Sequence, residues 1–233
     1  VYYKTEQNEL MSLIQHGKSP IDGAIILSPE IDDERLNTIK ENRIPCVIIG
    51  RSLENLDGVS TVDADNYKLV FTIVEKLLSM GRKKILLLNS NKDYTISVDR
   101  TEAYLAALEQ AKAEVDKKRI VYLENSTESM GKSVMEEFLQ SDNPPDAVIT
   151  SNEAVAHGVY SAAQEKQIKI GSELAVVSLG GVEVSEDQFS PRLSYAYQDY
   201  ETIGKKSVEA LINIIESPDP KYEHIEVKSK LVF

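Results

Sequence analysis

The sequence is poor in the residues on which disulfides and metal sites depend. It has one cysteine, three histidines and no tryptophan. A single cysteine cannot form an internal disulfide, and Cys46 lies inside the apolar run IPCVIIG, which fits a reducing compartment and, more simply, a buried thiol. His16, His157 and His224 are far apart in the sequence and show no metal-ligand spacing. We therefore predict neither a metal site nor a cofactor.

Positive charge and long apolar runs are also scarce. Lys and Arg number 26 against 38 Asp and Glu, so the net charge is −12 and the chain should be repelled by nucleic acid and anionic lipid. No apolar run approaches the roughly 20 residues that span a bilayer. The first residues, VYYKTEQNEL, lack the basic start and apolar middle of a secretion signal. We expect a soluble, cytoplasmic protein with no DNA-binding surface of its own and no contact with a membrane.

Short apolar runs alternate with stretches of helical period along most of the chain. Continuous runs rich in Val, Ile and Leu favour parallel strands covered on both faces. The predicted strands are 21–28, 44–50, 83–89, 119–124, 146–151 and 173–180. The predicted helices lie near 32–42, 66–80, 98–115, 127–140 and 154–166. This β-α-β-α order predicts an α/β fold with doubly wound parallel sheets.

Local signals mark the ends of several elements. Asp32, Asp65 and Thr127 are predicted helix caps, and Gly81 follows as a helix stop. The opening VYY is typical of a strand end followed by a helix, Glu6 to Gln15, so the start appears truncated. In the tail, LSYAYQ alternates, a helix runs from about Tyr200 to Ile215, and HIEVKSKLVF returns as a strand.

The length of 233 residues is enough for two lobes, each with its own core. The return of the tail to earlier structure suits a chain that crosses between lobes more than once. We predict an N-terminal lobe of residues 1–90 with 197–218, and a C-terminal lobe of residues 91–196 with 219–233.

Several catalytic motifs can be tested against the sequence, and none fits. The segment GKS at 131–133 lacks the earlier glycine of a phosphate-binding loop, because Ser126 stands at that position. The segment VVSLG at 176–180 lacks the first glycine of a nucleophile elbow. No dinucleotide-binding fingerprint follows any predicted strand. These failures argue against an enzyme.

Polar residues follow the predicted strands. In open α/β sheets, ligands bind beyond the carboxyl ends of the strands. These ends carry small, amide and hydroxyl groups, namely Ser28, Gly50-Arg51, Asn89-Ser90, Ser151-Asn152-Glu153 and Gly180-Gly181. Such a lining fits neutral polar solutes such as sugars.

Four segments resemble motifs of one family, and they occur in the family's order and spacing. These are VSTVDADNYKLVFTIVEKLLSMGRKKILLL, SVDRTEAYLAAL, DAVITSNEAVAHGVYSAAQEKQIKIGSELAVVSLGG and SPRLSYAYQDYETIGKKSVEALINII. They are similar to the effector-binding domain of the lactose-repressor and galactose-repressor family of bacterial transcription regulators. Arg82, Ala103 and Gly180 depart from the family pattern, which usually has histidine, glycine and aspartate at these positions. Gly50 likewise stands where some relatives have a carboxylate.

The resemblance implies a periplasmic-binding-protein-like fold of type I, with two lobes joined by a multi-strand hinge and closing on a small ligand. It implies that Arg100 hydrogen-bonds effector hydroxyls, that Asn152 contacts the effector, and that Tyr200 lines the pocket near the hinge. Tyr94, in the loop NSNKDYTIS, is a further candidate because a sugar can stack on its ring. The loss of carboxylates at Gly180 and Gly50 points to a sugar bound in an unusual geometry.

Each of these residues also has a purely structural interpretation. Arg100 falls in the first turn of the predicted helix, where a cation is unfavourable, and could pair with Asp99 or Glu102 at the surface. Asn152 could cap the following helix, Tyr94 could be a surface residue, and Tyr200 could serve packing.

The sequence therefore predicts the ligand-sensing domain of a transcription repressor. A small carbohydrate is its effector, operator DNA is contacted through a helix-turn-helix domain not present in this chain, and a homodimer is expected. The alternative from the same fold is an extracellular sugar-binding protein that serves a transporter. A third class is an enzyme that acts on a sugar or nucleotide.

Overall fold

The computed structural model describes residues 12, 14, 21–53, 58–180 and 189–233. The described residues form two compact units. The first holds the described residues up to Asp63 together with Tyr200–Val227, and the second holds Ala64–Asp199 and Lys228–Phe233. The chain passes from one unit to the other after Asp63, Asp199 and Val227, which agrees with a multi-strand connection.

We number the strands and helices of the described residues in chain order. The strands are β1 Ala24–Leu27, β2 Cys46–Ile49, β3 Val59–Asp63, β4 Ile85–Asn89, β5 Ile120–Tyr122, β6 Ala147–Thr150, β7 Ala175–Ser178, β8 Ser194–Tyr197, β9 His224–Glu226 and β10 Lys230–Val232. The α-helices are α1 Glu34–Glu41, α2 Asn66–Ser79, α3 Thr95–Gln110, α4 Glu128–Leu139, α5 Glu153–Glu165 and α6 Tyr200–Glu216. A short 3-10 helix, Lys117–Arg119, precedes β5.

Each unit is built on one mainly parallel sheet. The first unit has the strand order β1-β2-β3-β9, and all its described pairs are parallel. The second unit has the order β10-β8-β7-β6-β4-β5, in which only the pair of β10 with β8 is antiparallel. Because β4 pairs with β6 and β6 with β7, the carboxyl ends of these three strands lie side by side. The predicted α/β class with doubly wound parallel sheets is confirmed.

The boundary between the units differs from the predicted one. Division after residue 90 would place α2 and β4 in the first unit. The structure instead places them in the second, where α2 packs against α3 and β4 lies between β5 and β6. Residues 219–227 belong to the first unit, because β9 pairs with β3. Sequence reasoning missed these pairings because they join residues that are far apart in the chain.

Two of the three predicted helix caps are confirmed. The Asp65 side chain accepts a hydrogen bond from the Lys68 amide at 2.8 Å, and Thr127 caps α4. The third cap is Asp33 and not Asp32, because the Asp33 carboxylate accepts from the Arg35 amide at 3.0 Å.

The strand predictions were less complete. The segment Val59–Asp63 was not predicted as a strand, although it pairs with β2 on one side and β9 on the other. The tail HIEVKSKLVF was predicted as one strand, but it splits into β9 and β10, which belong to different sheets. Most of the predicted helix from Glu6 to Gln15 lies outside the described residues. Two of its residues, Ser12 and Ile14, are described, and both are helical.

Apolar cores lie on both faces of each sheet. In the second unit, α2 and α3 cover one face, and α4 and α5 cover the other. In the first unit, α1 contributes to one core and α6 to the other. The helices α4 and α5 approach closely at Gly131 and Gly158. A Cβ atom on either glycine would collide with backbone of the facing helix, so only glycine fits at these two positions. These layers fix the carboxyl ends of β4, β6 and β7, where polar residues begin.

Candidate functional site

Polar residues lie at the carboxyl ends of three neighbouring strands of the six-stranded sheet. The strands β4, β6 and β7 end at Asn89, Thr150 and Ser178, all of which are fully buried. The chain continues from these ends through Ser90, through Ser151 and Asn152, and through Gly180. We define this group of residues, together with the first two turns of α3 and the first turn of α5, as the polar edge.

Asn89 fixes the start of α3 against the polar edge. Its Nδ2 donates to the Ser97 carbonyl at 2.9 Å and to Thr101 Oγ1 at 3.2 Å. The hydroxyls of Thr101 and Tyr122 are also hydrogen-bonded, at 2.8 Å, which connects α3 with the end of β5. A fully buried amide with these partners holds the helix in one orientation.

Arg100 lies in the second turn of α3, because the helix begins at Thr95 and not near residue 98. The predicted conflict with the helix dipole in the first turn is therefore wrong. Arg100 is also only 4% exposed, so an ion pair on the surface does not describe it. Its Nε donates to Asn66 Oδ1 at 3.2 Å, and its Nη1 approaches Ser90 Oγ at 3.4 Å. The guanidinium is thus built into the polar edge.

Asn66 is the residue of this site that sequence reasoning missed. It is the first residue of α2, it is 3% exposed, and its Nδ2 donates to the Ala64 carbonyl at 2.9 Å. The amide therefore holds Arg100 with its oxygen and the chain at Ala64 with its nitrogen. The available signal was its place next to the Asp65 cap, within the VDADN segment, but capping alone explained that segment.

Asn152 caps α5, as the structural interpretation expected. Its Oδ1 accepts from the Val155 amide at 2.9 Å, and its Nδ2 donates to the Ser126 carbonyl at 3.0 Å. Ser151 Oγ lies 3.0 Å from Ser126 Oγ, so hydroxyls and an amide meet where the chain leaves β6. An amide group can make more hydrogen bonds than these two. A contact between Asn152 and a ligand stays a prediction.

Gly180 and Glu153 lie close together at the polar edge. A Cβ atom on Gly180 would lie 3.3 Å from Glu153 Oε2 and 3.3 Å from Asn152 Cα. Both contacts are tighter than ordinary van der Waals contact. A carboxylate from α5 therefore extends over the glycine that follows β7.

The two tyrosines occupy different units. Tyr94 is half-buried and directly precedes the first turn of α3, which belongs to the polar edge. Tyr200 begins α6 of the first unit and is 49% exposed. The structure thus brings Arg100, Asn152 and Tyr94 to one edge, and the roles of all four residues stay predictions.

A separate cavity of about 890 Å³ lies along α5 in the second unit. Its lining includes His157 and Tyr160, which contact the ring of Phe189 at centroid distances of 4.0 and 4.8 Å. None of the predicted site residues lines this cavity. Because ligands of open α/β sheets bind beyond the strand ends, the polar edge is the better candidate.

Within the described part of the chain, no group of three or more His, Cys, Asp or Glu residues is arranged to hold a metal ion. No helix in the same part combines the length and apolar character needed to cross a membrane.

Comparison with known proteins identifies what the chain resembles. The sequence profile of a family described as "Periplasmic binding protein-like domain" matches residues 74–233, which is 160 of the 233 residues. The HTH-type transcriptional regulator MalR of Streptococcus pneumoniae serotype 4 is 28% identical over 217 residues, covering 91% of this chain and 62% of that regulator. The chain thus spans less than two thirds of the regulator's length.

Two solved structures share the fold over the whole chain. A putative transcriptional regulator LacI from Bacillus cereus subsp. cytotoxis superimposes with a TM-score of 0.91 at 25% identity, covering 100% of this chain and 81% of that one. A regulatory protein of LacI family from Chloroflexus aggregans gives a TM-score of 0.86 at 26% identity, with coverage of 100% and 82%.

Proposed function

Because this chain belongs to the family of periplasmic binding protein-like domains, as an effector-binding domain of the lactose-repressor and galactose-repressor type, we propose that it senses a small carbohydrate. The sugar binds at the polar edge, and its binding is coupled to DNA binding by helix-turn-helix domains outside this chain. The whole protein acts as a repressor on operator DNA in the cytoplasm, as a homodimer.

The observation that carries this proposal is the setting of Arg100. The bond from its Nε to Asn66 fixes the plane of the guanidinium, and that plane lies among hydroxyl and amide groups. A guanidinium presents several N–H donors in a rigid fork and can engage two adjacent hydroxyls, which a lysine cannot do. The side chains of Ser90, Ser126 and Asn152 can each donate as well as accept hydrogen bonds, as sugar hydroxyls do.

The relatives favour one of the functional classes that the fold allows. They are transcription regulators, which favours a regulator over an extracellular sugar-binding protein of a transporter. We assign no catalytic residue. The net charge of −12 fits a domain that leaves contact with DNA to another part of the protein.

Sensing requires that the sugar distinguish two arrangements of the protein. A ligand shifts such an equilibrium only through its different affinity for the two states. In the whole protein, the sugar is therefore expected to change the affinity for operator DNA, and operator DNA to change the affinity for the sugar by the same factor.

Isothermal titration calorimetry with a panel of sugars tests the proposal. The panel contains D-glucose, D-galactose, maltose and cellobiose as neutral sugars, and D-glucose 6-phosphate and D-glucuronate as anionic ones. At least one neutral sugar is expected to bind with one-to-one stoichiometry. Arg100→Ala is expected to weaken that binding about 100-fold, because charge-assisted hydrogen bonds to the ligand are lost. Arg100→Lys is expected to recover only part of the affinity.

Arg119→Lys is the matched control for Arg100→Lys. Arg119 is also buried, and its Nη2 donates to the Asn143 carbonyl at 2.9 Å, but it precedes β5 at the opposite end of the sheet. Its substitution is expected to leave sugar affinity unchanged. The site assignment is refuted if a sugar binds equally well to Arg100→Ala and to the wild type. The choice of carbohydrate is refuted if no sugar of the panel binds.

A further inference from the structure

The carboxylate of Glu153 lies at the middle of the polar edge. Glu153 is the first residue of α5, which follows β6, and β6 lies between β4 and β7. On one side β4 leads into α3 and Arg100. On the other side β7 leads to Gly180, over which Glu153 Oε2 extends.

Gly180 has no side chain at the place where the Glu153 carboxylate approaches the end of β7. A Cβ atom at this position would approach Oε2 to 3.3 Å and Asn152 Cα to 3.3 Å, so a side chain here would press against the carboxylate and against the start of α5. A larger residue at position 180 would compete with Glu153 for that space. The glycine and the glutamate are therefore sterically coupled positions.

We propose that Glu153 is a specificity-determining residue of the sugar site, which selects neutral polyhydroxyl ligands against anionic ones. This inference rests on the proposed function. A carboxylate only accepts hydrogen bonds and a guanidinium only donates them, whereas a hydroxyl does both. A neutral sugar can therefore donate to Glu153 and accept from Arg100. A phosphate or a carboxylate on the ligand would be attracted by Arg100 but repelled by Glu153.

Glu153 also affects the stability of α5, and the test must distinguish this effect from a contact with the ligand. An acidic side chain in the first turn of a helix interacts favourably with the helix dipole. Glu128 occupies the first turn of α4 in the same way, so Glu128→Gln is the matched control for Glu153→Gln. Glu153→Asp keeps the charge and shortens the side chain, and it provides a second variant that preserves an acidic first turn.

The experiment is calorimetry of these variants with two ligands. One is the neutral sugar of the panel that binds the wild type, and the other is D-glucose 6-phosphate. Glu153→Gln is expected to weaken binding of the neutral sugar about 10-fold. The ratio of the affinity for the neutral sugar to the affinity for D-glucose 6-phosphate is expected to fall by about the same factor. Glu128→Gln is expected to change neither quantity, and Glu153→Asp is expected to keep the preference for the neutral ligand.

The outcomes separate this inference from the proposed function. If no sugar of the panel binds the wild type, the carbohydrate proposal fails and the role of Glu153 fails with it. If only an anionic sugar binds, the carbohydrate proposal stands and the role of Glu153 is overturned. If a neutral sugar binds and Arg100→Ala abolishes binding, while Glu153→Gln leaves the neutral-to-anionic preference unchanged, only the role of Glu153 is overturned. Equal effects of Glu153→Gln and Glu128→Gln on affinity would overturn it as well.

Discussion

Arg100 Nε donates a hydrogen bond to Asn66 Oδ1 at 3.2 Å, and this bond joins α3 to the first residue of α2. Both side chains are buried, so each leaves water to make the bond. Asn66 also donates to the Ala64 carbonyl, next to the point where the chain enters the second unit. The orientation of the guanidinium thus depends on a residue that need not contact the ligand.

Asn66 is expected to act as a positioning residue for Arg100. Asn66→Ala removes the acceptor of Nε, so the guanidinium loses one of the contacts that orient it, and the variant is expected to weaken binding of a neutral sugar about 10-fold. Titration calorimetry measures this loss. Asp65→Ala is the control, because it removes the cap of the same helix without touching Arg100. Both variants should lose stability, but only Asn66→Ala should lose affinity, and an equal loss in Asp65→Ala would contradict the role.

Asn152 is expected to have two separable roles. Asn152→Ala removes the cap of α5 and should lower the free energy of unfolding by about 1 kcal/mol. Asn152→Ser keeps a capping oxygen but loses the amide nitrogen that donates to Ser126. Asn152→Ser should remain close to wild type in thermal unfolding because the cap is kept. If the amide also contacts the ligand, this variant should bind sugar several-fold more weakly. A variant with unchanged affinity would leave Asn152 a cap alone.

The contrast between α2 and α3 explains how much of this site could be predicted from the sequence. The start of α2 was predictable because Asp65 caps it through a local hydrogen bond. The start of α3 was not, because Tyr94 makes no side-chain cap bond and Asn89 fixes the helix from the end of β4. Arg100 was found through its family motif, whereas its partner Asn66 could be found only in three dimensions.

The strands show the same distinction between local and distant causes. The buried runs of β4, β6 and β7 are apolar and were predicted from the sequence alone. The strand β3 alternates, with Ser60 and Val62 buried between more exposed neighbours, and its pairing partners are β2 and the distant β9. The division of the tail into β9 and β10 depends on which sheet each segment joins, and apolar pattern does not encode that choice.

The close approach of α4 and α5 should be sensitive to one methyl group. Gly158→Ala would place its Cβ against the Glu128 carbonyl, so the two helices must separate. We expect a loss of about 2 kcal/mol or more in the free energy of unfolding, measured by denaturant titration. Gly204→Ala is the control, since its Cβ would meet nothing within 4 Å in α6, and it should stabilise by about 0.5 to 1 kcal/mol. Equal effects in the two variants would contradict the contact.

The thiol of Cys46 should be unreactive in the folded protein. Cys46 is fully buried in the core of the first unit, as the apolar run around it predicted, and burial raises its pKa to about 12. At pH 8 a thiol with that pKa is ionised in on the order of one molecule in ten thousand, and only the thiolate attacks a disulfide reagent. Labelling with Ellman's reagent is therefore expected to be slow in buffer and complete in denaturant.

The rate of this labelling should also report opening of the first unit. Asp33→Ala removes the cap of α1, which packs against the same core as Cys46, and is expected to accelerate labelling. Thr127→Ala removes a cap of the same kind in the second unit and should accelerate it less. Labelling of the native wild type as fast as that of the unfolded chain would contradict the burial of Cys46. Equal acceleration by the two cap variants would instead mean that the thiol becomes accessible only when the whole chain unfolds.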